Sequence, residues 1–224
     1  MMQIYKVQLI KKEVISEDIL FLEFTRPEKF EFKAGQYILI KLMEENTVKW
    51  RAYSIFSAPK EKTKIDLCIK IVPDGLASTN IANAEINSEF EIKGPAGELV
   101  LAKDDKKEHY FLAAGSGIAP FYSMIKEHAE DKISLFFSAK TQKQLIKNDE
   151  LNELQNKNKN FKYYPTLTQE NWGGLRGRII EHLSENITDK IFYLCGLKEF
   201  VLETEVYLLS KGVTKENIKK ERYS

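Results

Sequence analysis

The chain has 224 residues, of which 43% are hydrophobic and 30% charged, and its formal net charge is +1. This balance excludes intrinsic disorder and lacks the basic excess of a nucleic-acid-binding protein. The length suits two domains of ordinary size. Neither an export signal in residues Met1 to Ile10 nor a run of about 20 apolar residues is present, so we expect a cytoplasmic protein without a membrane span.

The cysteines and histidines give no pattern of metal ligation. Cys68 and Cys195 are far apart and have no cysteine at short spacing, which argues against a disulfide framework, a zinc site or an iron-sulfur cluster. The histidines His109, His128 and His182 are scattered among helix-like or charged segments without neighbouring ligands. We therefore predict no metal site and structural, surface or half-buried histidines.

The N-terminal half consists of short segments in which polar and apolar residues alternate, punctuated by Gly, Pro and Asn. This pattern is typical of an antiparallel barrel or sandwich, and we assign a barrel domain to residues 1–103. A short helix is predicted at Ser78 to Asn83. The predicted strands are Tyr5 to Leu9, Ile19 to Thr25, Tyr37 to Leu42, Ala52 to Phe56, Ile65 to Val72 and Glu89 to Lys93.

The charged stretch Lys103 to Glu108 marks the predicted domain boundary, and residues 104–224 follow a different pattern. Continuous apolar runs, typical of strands buried on both faces, alternate there with helical patterns. This order predicts an α/β domain with an open parallel sheet. The predicted strands are Tyr110 to Ala114, Ile133 to Phe137, Phe161 to Thr166 and Ile191 to Leu194; the predicted helices are Pro120 to Glu130, Gln144 to Leu154, Ile179 to Leu183 and Glu199 to Ser210.

A glycine-rich loop lies between the first strand and the first helix of the second domain. Gly115 and Gly117 allow a tight turn and a close approach to an anion, and Pro120 suits a first helical turn. Exposed amides and the helix dipole favour a pyrophosphate there. We therefore predict nucleotide binding, although the spacing differs from the usual GxGxxG pattern.

The end of the second strand of this domain bears on the choice of nucleotide. No acidic residue is present there to bind a ribose 2′-hydroxyl; instead the sequence runs from Ser138 through Lys140 to Lys143. Hydroxyls and lysines suit a 2′-phosphate and hence NADPH, while a solvated basic loop is an equally good interpretation.

Two segments of the first domain do not indicate a function by themselves. By strand periodicity Arg51 and Tyr53 lie on one face and Ala52 and Ser54 on the other. The turn from Asp74 to Asn80 leads into a short helix, where either an anion site or an ordinary Ser or Thr N-cap fits.

Six short motifs occur in an order that resembles the ferredoxin-NADP reductase superfamily over essentially the whole chain. They are Arg51 to Ser54, Leu67 to Lys70, Gly75 to Ser78, Gly94 to Gly97, Gly115 to Pro120 and Cys195 to Lys198, followed by the ending Glu221 to Tyr223. The resemblance implies FAD rather than FMN in the first domain, and NADP, with NAD left open, in the second.

The resemblance also implies roles for individual residues. In that family the arginine of the first motif binds the flavin phosphate, the tyrosine packs on the flavin ring, and the serine hydrogen-bonds near N5. The residues matching flavin-binding positions are Arg51, Tyr53, Ser54, Cys68, Ile69, Lys70, Gly75, Ala77 and Ser78, with Tyr223 either covering the flavin or only ending an edge strand. Those matching nucleotide-binding positions are Gly115, Ser116, Gly117, Pro120, Cys195 and Gly196. Thr166 and Arg176 lie in segments where related proteins contact the adenosine end of the cofactor, although a solvated loop arginine also fits Arg176; Ser138 and Lys140 are nucleotide-binding candidates from the basic loop alone.

The implied activity is hydride transfer between NAD(P)H and FAD, with Ser54, Cys195 and Glu221 as the catalytic candidates. Since the sequence has no cysteine set for a cluster, we expect the electrons to leave to a separate carrier such as ferredoxin or flavodoxin. The alternatives are the reductase component of an oxygenase, a free-flavin reductase and, outside enzymes, a flavin-binding regulatory subunit.

Overall fold

The structure is a computed structural model that describes residues 2–16, 18–44, 47–72, 75–102 and 107–223. The predicted domain boundary after Lys103, Asp74 of the glycine turn, and Ser224 lie outside these residues. The chain forms two compact units: Met1–Leu101 with Ala119–Glu127, and Ala102–Ile118 with His128–Ser224.

The first unit is built on six antiparallel strands. They are β1 (Ile4–Ser16), β2 (Ile19–Thr25), β3 (Tyr37–Glu44), β4 (Thr47–Ser54), β5 (Lys64–Lys70) and β6 (Glu89–Ala96). Their order in the sheet is β4-β3-β6-β1-β2-β5. An isolated antiparallel bridge between Ile55, the residue after β4, and Leu67 of β5 brings the two ends of the sheet together, so the sheet curls back on itself as in a barrel. This architecture confirms the predicted antiparallel fold.

Apolar side chains at alternate strand positions fill the interior of this sheet. Ile38 and Ile40 of β3 are 1% and 0% exposed, and helix α1 (Leu76–Asn83) adds the buried Ile81 to the same core. Helix α2 (Ile118–Glu127) packs with this unit: the Tyr122 ring stacks on Phe56 with 4.1 Å between centroids. Burial of these groups is the main stabilising contribution to the unit.

The second unit is a parallel sheet, as predicted. Its strands are β7 (His109–Ala114), β8 (Ile133–Ala139), β9 (Phe161–Leu167), β10 (Leu175–Arg176), β11 (Ile191–Leu197) and β12 (Ile218–Tyr223), with helices α3 (Asn148–Lys157) and α4 (Lys198–Ser210). The order β10-β9-β8-β7-β11-β12 runs outward from β7 to one side and then returns to its other side. The topological switch point therefore lies between β7 and β11, where open sheets of this kind bind ligands.

Several local predictions were wrong or incomplete. The helix predicted from Gln144 starts only at Asn148, because Lys147 has a φ of +59° and the two buried residues before it lie in a bend and a turn. The segment Ile179–His182 is a short 3₁₀ helix. Strand β12 was not among the predicted strands, because its mainly polar, exposed residues lack an apolar pattern.

The described segments contain no helix long and apolar enough to cross a membrane. Across the same segments, no group of three or more His, Cys, Asp or Glu residues could hold a metal ion. His109 is more buried than expected, at 3% exposure, and its Nδ1 lies 3.4 Å from the Tyr193 hydroxyl.

Candidate functional site

The glycine loop lies directly after β7, at the switch point of the parallel sheet. Gly115–Gly117 forms one 3₁₀ turn that continues into α2 at Ile118. Ser116 is buried at 9% exposure, and Pro120 is buried in the first turn of the helix. Amides at such a turn have no intrahelical partner, which suits an anionic ligand.

Gly117 brings this loop into close contact with β11. A Cβ at this position would lie 2.2 Å from the Cys195 carbonyl oxygen and 2.8 Å from the Gly196 Cα, so only glycine allows the approach. Gly115 has a φ of +56°, and a Cβ there would meet no atom within 4 Å. Backbone on one side and open space on the other make a cradle that fits a pyrophosphate and its attached ring.

Cys195 lies at the carboxyl end of β11 and is fully buried. Burial, followed by the negative charge of Glu221, raises the pKa of the thiol well above its usual range, although hydrogen bonds from Tyr223 and the Gly196 backbone oppose the shift. The thiol is therefore neutral at pH 7 and is not a nucleophile. In the sheet register Cys195 is paired with Glu221, so the three predicted residues Cys195, Glu221 and Tyr223 come together.

Tyr223 is the last residue of β12, which is an edge strand of the sheet. Its half-buried side chain hydrogen-bonds Cys195, two positions back on the neighbouring strand. The geometry agrees with the edge-strand interpretation. Whether Tyr223 also covers a flavin stays a prediction.

The four residues predicted to bind the adenosine end of the nucleotide lie at the carboxyl ends of β8, β9 and β10. Ser138 and Thr166 are paired in register. Thr166 is 1% exposed and its hydroxyl donates to the Gly177 carbonyl at 3.0 Å, so it positions the next turn rather than facing solvent. Lys140 and Arg176 are exposed, and in the described part of the chain neither forms an ion pair.

Sequence reasoning missed an acidic residue at this same edge. The Glu170 carboxylate accepts a hydrogen bond from the Gln142 amide at 2.8 Å and another from the Gln142 side chain at 3.1 Å. The sequence correctly showed no acidic residue at the end of β8. Glu170 reaches the same edge of the sheet from the loop after β9. No local sequence signal links the two segments.

In the first unit, β4 carries the motif from Arg51 to Ser54. Arg51 and Tyr53 pair with Ile40 and Ile38 of β3, so their side chains lie on the same face of β4. Tyr53 packs against the core, Arg51 is exposed, and Ser54 is 5% exposed. An exposed guanidinium beside a half-buried aromatic ring fits a phosphate beside a planar ring.

The bridge between Ile55 and Leu67 brings the second flavin motif next to the first. Cys68 and Ile69 are buried at 6% and 2% exposure, with Ile69 in the core, and the Lys70 ammonium lies 3.6 Å from Asp18. The Cys68 and Ile69 side chains are therefore packed in the interior, and the Lys70 side chain forms an ion pair. A ligand at this position would meet mainly the backbone of β5.

The third motif forms the start of α1. Gly75 is the N-cap, and no side chain caps the helix, so the Ser or Thr cap considered from the sequence is wrong. Instead the Ser78 hydroxyl accepts from the Val72 amide at 3.0 Å and lies 3.2 Å from the Gly75 carbonyl. Ala77 packs against the core. The first amides of α1 thus lack a side-chain cap, which fits a phosphate better than the capped alternative.

Comparison with known proteins agrees with this arrangement. Residues 6–101 match the family model of the oxidoreductase FAD-binding domain. Residues 111–205 match that of the oxidoreductase NAD-binding domain. The two matches cover the two halves in which the flavin and nucleotide motifs occur.

Among characterised relatives, a component of the Na(+)-translocating NADH-quinone reductase of Serratia proteamaculans is 30% identical over 93% of this chain and 58% of its own length. The anthranilate 1,2-dioxygenase electron transfer component of Acinetobacter baylyi is 26% identical over 94% and 64%. This chain thus spans about three fifths of the length of these relatives. The ferredoxin NADP+ reductase of Neisseria gonorrhoeae, solved with FAD and NADP, is 25% identical, with 98% of each chain covered and a TM-score of 0.88.

Proposed function

Because this chain belongs to the ferredoxin-NADP reductase superfamily of FAD- and NAD(P)-dependent oxidoreductases, we propose that it passes a hydride from NAD(P)H to FAD. The electrons then leave to a separate carrier protein such as ferredoxin or flavodoxin. When bound, the cofactors supply the redox chemistry, a hydride moving from nicotinamide C4 to flavin N5. The protein binds and orients them.

The observation that carries this proposal is the approach of Gly117 to Cys195 and Gly196. It brings the phosphate loop and the carboxyl end of β11 together at the switch point, where a dinucleotide fits. In the proposed arrangement Gly115, Ser116 and Gly117 bind the pyrophosphate. Cys195, a neutral buried thiol, shapes the position of the nicotinamide.

The flavin side of the proposal is supported by three motifs of the first unit, the first two of which are brought together by the bridge between Ile55 and Leu67. Arg51 would bind the flavin phosphate, Tyr53 would pack on the ring, and the buried Ser54 hydroxyl would hydrogen-bond near N5. A fixed donor near the reacting nitrogen assists hydride arrival because it needs no reorganisation during the step. The Glu221 carboxylate, next to Cys195, is the proposed acidic group on the nucleotide side.

A second candidate for the electron acceptor is an oxygenase. The relative from Acinetobacter baylyi is named as the electron transfer component of a dioxygenase, which favours this candidate. Only the acceptor differs between the two candidates. Turnover with ferredoxin, flavodoxin, free FMN and an oxygenase component distinguishes them, because the true acceptor sustains continuous NAD(P)H oxidation.

The test of hydride transfer uses the protein loaded with FAD, mixed anaerobically with NADH or NADPH while the visible flavin band is recorded. We expect the band to bleach with at least one of the two nucleotides. Ser54→Ala should slow bleaching by about a hundredfold to a thousandfold, the range for loss of a transition-state donor. Ser210→Ala, which removes an exposed hydroxyl on α4, is the matched control and should bleach at the wild-type rate. A bound flavin that stays oxidised with both nucleotides would identify a binding module instead.

A further inference from the structure

A carboxylate of the chain itself, that of Glu170, lies at the carboxyl ends of β8 and β9, where the ribose of the nucleotide is expected. Glu170 binds both the backbone amide and the side-chain amide of Gln142, at 2.8 Å and 3.1 Å. Gln142 is the first residue of the 3₁₀ turn Gln142–Gln144 that follows β8. Its amide is the kind of group that binds an external phosphate oxygen, and here an internal carboxylate occupies it.

The loop that carries Glu170 is held against β8 by backbone hydrogen bonds. The Thr168 amide donates to the Ala139 carbonyl at 3.0 Å, and the Gln169 amide donates to the Lys140 carbonyl at 3.1 Å. Beyond Glu170, the Trp172 indole donates to the Leu175 carbonyl at 2.6 Å and closes the turn. The loop therefore holds the carboxylate beside residues 140–142.

The cations at this edge do not form ion pairs with Glu170. Its carboxylate oxygens bind the neutral Gln142, whereas Lys140 and Arg176 are exposed and, within the described ranges, have no salt-bridge partner. A 2′-phosphate would gain from these two cations but would lie close to the fixed carboxylate. An unphosphorylated ribose does not experience this repulsion.

We propose that Glu170 is the residue that sets cofactor specificity, disfavouring a 2′-phosphate so that the NAD-binding domain takes NADH in preference to NADPH. The proposal rests on the proposed function, since it concerns the same nucleotide site. In bulk water, Coulomb repulsion between a carboxylate and a doubly charged phosphate a few ångströms apart corresponds to a discrimination of about tenfold, and a lower local dielectric increases it.

The experiment measures binding of NAD+ and NADP+ to the FAD-loaded protein by titration calorimetry, which requires no turnover. Wild-type protein should bind NAD+ more tightly. Glu170→Gln keeps a hydrogen-bond acceptor but removes the charge, so NADP+ affinity should rise about tenfold while NAD+ affinity stays within about twofold. Glu153→Gln, a charge removal on the exposed surface of α3, is the matched control and should change neither affinity.

Two further measurements separate charge from loop geometry. Gln142→Ala removes a neutral hydrogen-bond partner of Glu170 but keeps the carboxylate, so the affinity for NADP+ should not rise. Raising salt from about 0.01 M to about 1 M should reduce the ratio of NAD+ to NADP+ affinity more in wild-type protein than in Glu170→Gln, because screening weakens the repulsion. Equal increases in NADP+ affinity for Gln142→Ala and Glu170→Gln would overturn the charge argument.

A wild-type protein that binds NADP+ more tightly, or a Glu170→Gln variant whose NADP+ affinity does not change, would also overturn the proposal. The proposed function fails in a different way. A protein that discriminates the dinucleotides through Glu170 but never reduces its flavin would keep this inference and contradict the hydride transfer. Flavin reduction with no effect of Glu170 would do the reverse.

Discussion

Replacing Gly117 by alanine places a methyl group against the backbone of β11. The new Cβ would lie 2.2 Å from the Cys195 carbonyl oxygen and 2.5 Å from its carbonyl carbon. Non-bonded carbon atoms are normally about 3.5 Å apart, so the loop and the strand must separate by about 1 Å. The atoms in conflict belong to a buried central strand and cannot rotate away as a flexible side chain can.

Two effects of this displacement can be estimated. Overpacking of this kind destabilises a fold by about 1–3 kcal/mol. A misplacement of about 1 Å between reacting groups lowers a rate by about a hundredfold. Since the displaced loop is the proposed phosphate cradle, Gly117→Ala should raise the KM for the nucleotide and slow flavin reduction while the protein still folds.

The assay combines thermal unfolding with anaerobic flavin reduction at several nucleotide concentrations. Gly173→Ala is the control for stability, because its Cβ would meet no atom within 4 Å, and its unfolding midpoint should not fall. Gly115→Ala separates backbone strain from steric overlap, because its Cβ would have open space while its φ is +56°. Its free energy of unfolding should therefore fall by only about 1–2 kcal/mol. If Gly117→Ala retains wild-type stability and reduction rate, the proposed contact between the loop and β11 is refuted.

Three other predictions concern buried groups. Burial raises the pKa of Asp66 to about 6, and within the described residues its Oδ1 has no hydrogen-bond partner; the folded protein thus holds this proton more tightly than the unfolded chain, and stability falls as pH rises from about 4 to about 6. In urea unfolding Asp66→Asn should therefore stabilise by about 3 kcal/mol near pH 8 and little near pH 4, and an equal gain at both would contradict the assignment. Tyr122→Ala removes the stack on Phe56 and should cost about 3–5 kcal/mol in the same assay, whereas a loss below about 1 kcal/mol would show that α2 does not depend on it. Cys195 and Cys68 are 0% and 6% exposed, so mass spectrometry should find no alkylation by iodoacetamide in the folded protein at neutral pH and full alkylation in urea; rapid labelling of Cys195 would contradict its neutral, buried state.

Strong local patterns allowed much of the fold to be predicted. The predicted limits of β2 agree with the structure, because alternation and the flanking polar residues define both ends. Strand β4 was predicted to begin at Ala52 but begins at Thr47, since an exposed edge strand has no apolar alternation and takes its register from β3. Helix α3 was predicted to start too early because Leu145 and Ile146 continue an apolar pattern of helical spacing, whereas in the structure they are buried in the turn before the helix.

The candidate site was predictable where one segment carries the chemistry and not where several segments must meet. The glycine loop was identified from its own residues and its place between a strand and a helix. The contact of Gly117 with Cys195 and the position of Glu170 beside Gln142 depend on the order of strands in the sheet, which local periodicity does not encode. The flavin motifs needed a family resemblance, because the bridge between Ile55 and Leu67 that brings the first two together joins segments that are distant in the sequence.

The central claim is that NAD(P)H reduces a flavin bound to this chain. Its most direct test is the visible spectrum of the FAD-loaded protein before and after anaerobic addition of NADH and, separately, NADPH. We predict that the flavin band bleaches, with NADH more effective than NADPH and with the preference weakened in Glu170→Gln. A protein that binds FAD and keeps it oxidised with both nucleotides would contradict the account.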